Sequence, residues 1–429
     1  MLSLLEDFKA FLDRSPTSWH CLKEVKERLS LKDFIELEEA SLWDLKPGQR
    51  YFVKRGGSLA AFCLPKQPVQ EMLLLAAHTD SPALKLKPNP LVFKQGSVFL
   101  ETEPYGSPIL HSYLNRDLGL AGRVFFLNTQ GHVQEELLFL DDIPLVIPEL
   151  AIHLHREVNE KGPQTNEQDH LMPLLTLEPL QTLEELIRQY LPMHSLLSFD
   201  LLAVPLEPAR FVGMKGGEML SSYRLDNLTS VHASISALVQ YQESPLLPLA
   251  VFWDHEEVGS RSWEGAQSTF LQDIFSRIRL FYSMTEEQFL TLKSRSFCIS
   301  LDMAHGLHPL HSKKYDANHA PLLGGGIALK SHADLKYASS AKSLAKARSI
   351  AQRANIPLQH FCSRSDQLCG STVGPLITST TGIITVDLGV PQLSMHSSRE
   401  LIATKDYVSL VSFLKETLQG CSCHATPSL

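Results

Sequence analysis

The chain has 429 residues, of which 44% are hydrophobic and 20% charged, and its formal net charge is -8. That length calls for more than one core, and that balance excludes a disordered, fibrous or low-complexity chain. Mild acidity with scattered lysines and arginines argues against a nucleic-acid partner, and no apolar run is long enough to span a membrane.

The N-terminal stretch reads as helical. Leu4, Leu5, Phe8, Phe11 and Leu12 recur at helical spacing, as do Leu22, Val25 and Leu29, with Ser15-Pro16-Thr17-Ser18 as break and cap. Glu6, Asp7 and Lys9 fall within this amphipathic pattern. It lacks the basic, apolar and small-residue layout of a signal peptide, so the expected compartment is the cytoplasm. Strands are expected at 51–53, 59–64 and 71–77, split by Gly56-Gly57 and Lys66-Gln67-Pro68.

From 88 to 217 the texture is that of a β-rich module. Short segments at 98–100, 122–127 and 136–140 are separated by turn residues, with a polar loop at 161–169 and a helix at 183–190. Beyond Asp226, strand and helix alternate. Helices are expected at 229–241, 270–281 and 343–354, and strands at 249–253, 297–301 and 383–386, with a short segment at 358–361. This rhythm predicts an α/β sheet covered on both faces, built from 1–87 and 218–429 and interrupted by the 88–217 insert.

The seven cysteines are an odd number without framework spacing. Cys63 and Cys298 lie in apolar runs and read as reduced core thiols. Cys421 and Cys423 lie in a polar tail, short of the four ligands that a structural zinc site needs.

Three apolar strands end in ionisable residues. They run into His78-Thr79-Asp80, into Asp254-His255-Glu256-Glu257, and into Asp302-Met303-Ala304-His305. In open α/β sheets, ligands bind beyond the carboxyl ends of the strands, and a metal is the simplest partner for so many such groups at one edge. Asp226 precedes a helix, where it also fits a plain N-cap. His396 follows a strand, where it also fits a hydrogen-bonded core histidine.

Further segments run in one order along the chain: His78-Thr79-Asp80-Ser81-Pro82, Asn115-Arg116-Asp117-Leu118, Ala151-Ile152-His153-Leu154 and Arg224-Leu225-Asp226-Asn227. They continue with Asp254-His255-Glu256-Glu257-Val258-Gly259-Ser260, Asp302-Met303-Ala304-His305, Cys369-Gly370-Ser371-Thr372-Val373-Gly374-Pro375 and Met395-His396-Ser397. With these, the chain resembles the aspartyl aminopeptidase family of dinuclear zinc metallopeptidases. The resemblance implies a zinc-peptidase-like α/β fold, its mixed sheet flanked by helices, with the insert acting as a lid or dimerisation domain. It also implies two divalent ions. His78, Asp226 and Asp302 would hold one, and Asp226, Glu257 and His396 the other. Zinc suits this nitrogen and oxygen set, with manganese and cobalt open.

Glu256 would be the general base, free to move a proton while Glu257 coordinates. Asp80 would fix the tautomer of His78, though it also fits a turn before Pro82. His305 would contact substrate, and Lys330 would face an N-terminal Asp or Glu side chain, although it also fits a solvated surface lysine. His153 would reach a neighbouring subunit's site within a tetrahedral dodecamer that admits peptides. Gly324-Gly325-Gly326 lacks a phosphate-loop ending and reads as a flexible turn.

The chain departs from the family pattern at Asn115, His155 and Ser365, none of which is an expected ligand. Two other readings stand beside the aminopeptidase. One is a deacylase or carboxypeptidase on the same metals, and the other is a non-catalytic assembly protein that keeps the fold.

Overall fold

The computed structural model describes residues 2–214 and 217–420, so Cys421 and Cys423 lie outside the described residues. The chain opens with the helices Leu2–Asp13 and Ser18–Ser30, the second capped by Thr17. Phe8, Phe11, Val25 and Leu29, spaced to share one face, are fully buried.

The main body is a nine-stranded mixed sheet. Its order is Phe34–Leu37, Arg50–Arg55, Ser58–Cys63, Leu246–Trp253, Glu71–His78, Phe297–Leu301, Ile384–Gly389, Ile327–Lys330 and Leu358–Phe361. The four strands from Leu246–Trp253 to Ile384–Gly389 run parallel, and their neighbours on either side run antiparallel. Alternation along Glu71–His78 sends Leu73, Leu75 and Ala77 to one face and Met72, Leu74 and Ala76 to the other. The first face packs on the helices Leu225–Leu238, Ala341–Arg353 and Thr404–Gly420. The second packs on Phe270–Phe281, Glu286–Arg295 and Val373–Thr381. Each fully buried leucine or phenylalanine contributes roughly 1.5–3 kcal/mol relative to exposure, so this two-sided burial dominates the stability of the body.

The insert is a six-stranded antiparallel sheet with its own core. Its order is Val133–Leu145, Leu118–Leu127, Ser195–Pro205, Ala83–Lys94, Ser97–Tyr105 and Leu174–Thr176. This sheet begins at Ala83, ahead of 88, and ends at Pro205, short of 217. Between its end and Asp226 the chain enters a third sheet, ordered Arg210–Val212, Met219–Ser222, Glu400–Ala403, Pro391–Leu393 and Ala304–His305. Among the described residues no helix is long and apolar enough to cross a membrane.

Candidate metal centre

Parallel pairing brings the expected ligands to one edge. His78 ends its strand directly opposite Trp253, so the turn carrying Glu256 and Glu257 starts beside it. On the other side of the same strand, Phe297–Leu301 delivers Asp302. The third sheet supplies the rest: Met219–Ser222 leads to Asp226, and His396 lies between Pro391–Leu393 and Glu400–Ala403.

Asp226 is not an N-cap. Its extended backbone (φ -85°, ψ 104°) would suit a cap, but its side chain makes no capping bond. Its Oδ1 is buried without a hydrogen-bond partner. A buried carboxylate oxygen is expensive to leave unsatisfied, so this atom asks for a cation. His78 Nε2 lies 3.4 Å from that oxygen and 3.5 Å from Asp302 Oδ1. His396 Nε2 lies 3.5 Å from Asp226 Oδ2 and 3.3 Å from Glu257 Oε2. These gaps are long for hydrogen bonds. They match the edge of a tetrahedron, about 3.3 Å, whose bonds to a central zinc are about 2.0–2.1 Å. The side chains thus form two metal-sized groups that share Asp226, His78–Asp226–Asp302 and Asp226–Glu257–His396, and a third, His78–Glu256–Glu257, overlaps both.

Both imidazoles are oriented for this. His78 Nδ1 donates to the Asp80 carbonyl and His396 Nδ1 to the Ser107 carbonyl, each at 3.1 Å. A carbonyl can only accept, so each Nε2 is left facing the carboxylates. Burial opposes protonation of His396, yet Asp226 and Glu257 override it and push its pKa up to about 12. His78 moves the same way, burial being outweighed by Asp226, Asp302 and Asp80. The carboxylates demand positive charge, and protons on these rings are what the chain alone can offer. A divalent ion on the same donors would replace them.

Asp80 joins the two sides of the centre. Its carboxylate accepts from the backbone N–H of Glu256 and of Glu257, both at 3.1 Å, and from the Tyr105 hydroxyl at 2.8 Å, and it lies 3.4 Å from His78 Nδ1. Burial pushes Glu256 well above the usual carboxylate range, with Glu257 and Asp302 adding to it and His78 opposing. A carboxyl raised in this way suits a group that must both take and return a proton.

The substrate-side residues fall in different places. His305 is exposed beside Phe361, on the short strand that follows Asp302. Lys330 is not a solvated lysine. It is 2% exposed, and its ammonium donates to Asp302 Oδ2 (3.1 Å), Asp302 O (3.2 Å) and Met303 O (2.8 Å) over the Tyr337 ring. His153 is exposed on the insert between Ile152 and Leu154, which are also exposed. The Gly324-Gly325-Gly326 turn is tethered by hydrogen bonds on both sides. Asp406 accepts from the N–H of Gly324 and Gly326, and Gln359 donates to Leu322 O and Gly326 O.

Sequence reasoning missed three supports: Tyr105 and Ser107 from the insert, and Glu400, which bonds the backbone of Asp226 and His396. A fourth acidic group, Asp254–His255–Glu264, is already occupied by protein donors. Asp254 accepts from Ser18, and Glu264 accepts from Gly57 N.

Residues 11–417 match the family described as "Aminopeptidase I zinc metalloprotease (M18)". The chain is 35% identical to a "Probable aspartyl aminopeptidase" of Ricinus communis, over 94% of this chain and 93% of that one. The solved Ape4 of an Ape4–Nbr1 complex superposes with a TM-score of 0.92 and 33% identity, over 97% of this chain and 85% of that one. The S. cerevisiae mApe1 dodecamer superposes with a TM-score of 0.83 and 26% identity, over 97% and 96%. The chain therefore belongs to the M18 family of zinc aminopeptidases, hydrolases that act on peptide bonds.

Proposed function

We propose that the chain removes N-terminal residues from peptides, preferring Asp and Glu, with two divalent ions held by His78, Asp226, Glu257, Asp302 and His396. The observation that carries this reading is the buried Asp226 carboxylate, its Oδ1 without a hydrogen-bond partner, shared by two histidine–carboxylate groups. The donors fit zinc best, with manganese and cobalt as alternatives. Bound ions of this kind supply Lewis acidity toward a carbonyl and make water more acidic.

The chain's own residues do the rest. Glu256 takes a proton from the attacking water and returns it to the leaving amine. Asp80 holds the Glu256–Glu257 turn against His78, so base and ligands keep one spacing. His305, exposed next to Asp302, offers a contact for bound peptide. Lys330 reaches an acidic substrate side chain only by releasing one of its three bonds. Replacing Lys330 with Ala should therefore lower turnover of every peptide through Asp302 and also remove the margin for Asp and Glu.

The exposed Leu150, Ile152 and Leu154 around His153 form an apolar rim suited to another copy of the chain. On this reading His153 completes a neighbour's site within a homo-oligomer, in the family form a tetrahedral dodecamer. Size-exclusion chromatography of the metal-loaded protein should give a large assembly, and a monomer alone would refute it.

A peptide series differing only at the N-terminal residue tests the activity. Free-amine peptides beginning with Asp or Glu should be cleaved fastest. Cleavage of N-acetylated peptides at least as fast would favour the deacylase reading instead.

A further inference from the structure

We propose that Glu400 is a positioning residue for the metal centre, its carboxylate clamping the backbone N–H groups of Asp226 and His396 and so fixing the spacing between these two ligands. The inference rests on the metal-site reading above. Glu400 is 2% exposed and opens the strand Glu400–Ala403. Its Oε2 accepts from Asp226 N at 2.9 Å, and its Oε1 accepts from His396 N at 2.8 Å and from Gln392 Nε2 at 3.4 Å.

The position follows from the third sheet. Glu400 pairs with Ser222 at the end of the strand that leads to Asp226. The next strand over, Pro391–Leu393, leads to His396. Both ligands stand where regular backbone bonding stops. Asp226 has non-helical angles, and His396 has a φ of 66°, two residues after Ser394 at 57°. Neither segment is fixed by helix or sheet repetition: His396 O accepts from Ile109 N and Asp226 O from Ser81 Oγ, and Glu400 takes the N–H of each.

A carboxylate is needed because every partner is a donor. Two oxygens accept from two peptide N–H groups and one amide NH2. Glutamine has the same shape, but it would turn its own NH2 against one of those donors. The clamp would then hold one ligand and release the other. Glu400 touches no reacting atom, so its effect should pass through metal affinity and turnover rather than through peptide binding.

The test uses the full chain, stripped with a chelator and titrated with zinc against a chromophoric competitor. Wild type is compared with Glu400→Gln, Glu400→Asp and Asp406→Asn. Asp406 is the control, since it also accepts from two backbone N–H groups but at Gly324 and Gly326. Glu400→Gln should weaken zinc binding about 10- to 100-fold, as loss of a residue supporting a ligand typically does, and lower kcat while leaving KM unchanged. Glu400→Asp keeps the charge but loses the reach, so it should fail equally, and it carries the test if the Gln variant does not fold. Asp406→Asn should bind zinc as wild type does.

Wild-type zinc affinity in Glu400→Gln overturns the clamp. So does rescue by Glu400→Asp, or an equal loss in Asp406→Asn. If wild type itself takes up no zinc, the underlying metal reading fails instead.

Discussion

Replacing Asp80 with Asn probes how the centre is held together. Three donors converge on this buried carboxylate, the Glu256 and Glu257 N–H groups and the Tyr105 hydroxyl, and His78 Nδ1 lies 3.4 Å away. Burial is outweighed by the neighbouring His78, the Tyr105 hydroxyl and the Glu257 N–H, which hold its pKa below the usual range, so it is an anion in the folded chain. Asparagine offers one carbonyl oxygen. If its NH2 takes the Oδ1 side, Glu256 N is stranded. If it takes the Oδ2 side, Tyr105 can rotate to accept, but Glu257 N is stranded. A stranded buried donor costs about 1–3 kcal/mol, and if that falls on the reacting geometry it lowers kcat roughly 5- to 150-fold. The assay is kcat at saturating zinc, alongside thermal unfolding to confirm the fold. Tyr105→Phe should cost less, because the carboxylate keeps its other donors. Wild-type kcat and zinc affinity in Asp80→Asn would refute the reasoning.

Three further outcomes are expected. Glu256→Gln should lower kcat by about 100- to 10,000-fold while zinc stoichiometry stays the same, and unchanged turnover would remove Glu256 as the base. His20 is held down to about 4 by burial, with Arg224 and Lys23 adding to it. The unfolded imidazole titrates near 6.5, so between these values the unfolded chain binds the extra proton. Stability is then full above pH 6.5 and falls toward pH 4 by up to about 3 kcal/mol for this group. Urea unfolding of metal-free wild type against His20→Gln should show the variant losing less over that window. Burial pushes the thiols of Cys21 and Cys63 up to about 12, so alkylation at pH 8 should leave both unmodified until the protein unfolds, as peptide mapping would show.

The body of the fold was legible because its strands are continuous apolar runs and its helices carry clean spacing. The expected helix at 270–281 coincides with Phe270–Phe281, and the strand at 297–301 with Phe297–Leu301. The third sheet was not legible. Its strands are two to four residues long and pair across as many as 184 positions, from Met219 to Ala403, which leaves no local period to read. Glu400 and Ser107 stayed hidden for the same reason: Glu400 bonds backbone N–H groups brought close only by that pairing, and the Ser107 carbonyl meets the His396 ring only through the insert. Asp226 shows the opposite failure. Its sequence context fits an N-cap, and only the missing capping bond and the buried, partnerless Oδ1 set it apart. The burial of Lys330 against Asp302 depends on a strand neighbour that spacing alone cannot identify.

Zinc-edge anomalous diffraction from crystals of the zinc-loaded protein bears most directly on the five-ligand centre. Two peaks should appear, one touching His78 and Asp302, the other Glu257 and His396, with Asp226 reaching both. A single peak, or peaks at Asp254, His255 and Glu264 instead, would contradict it.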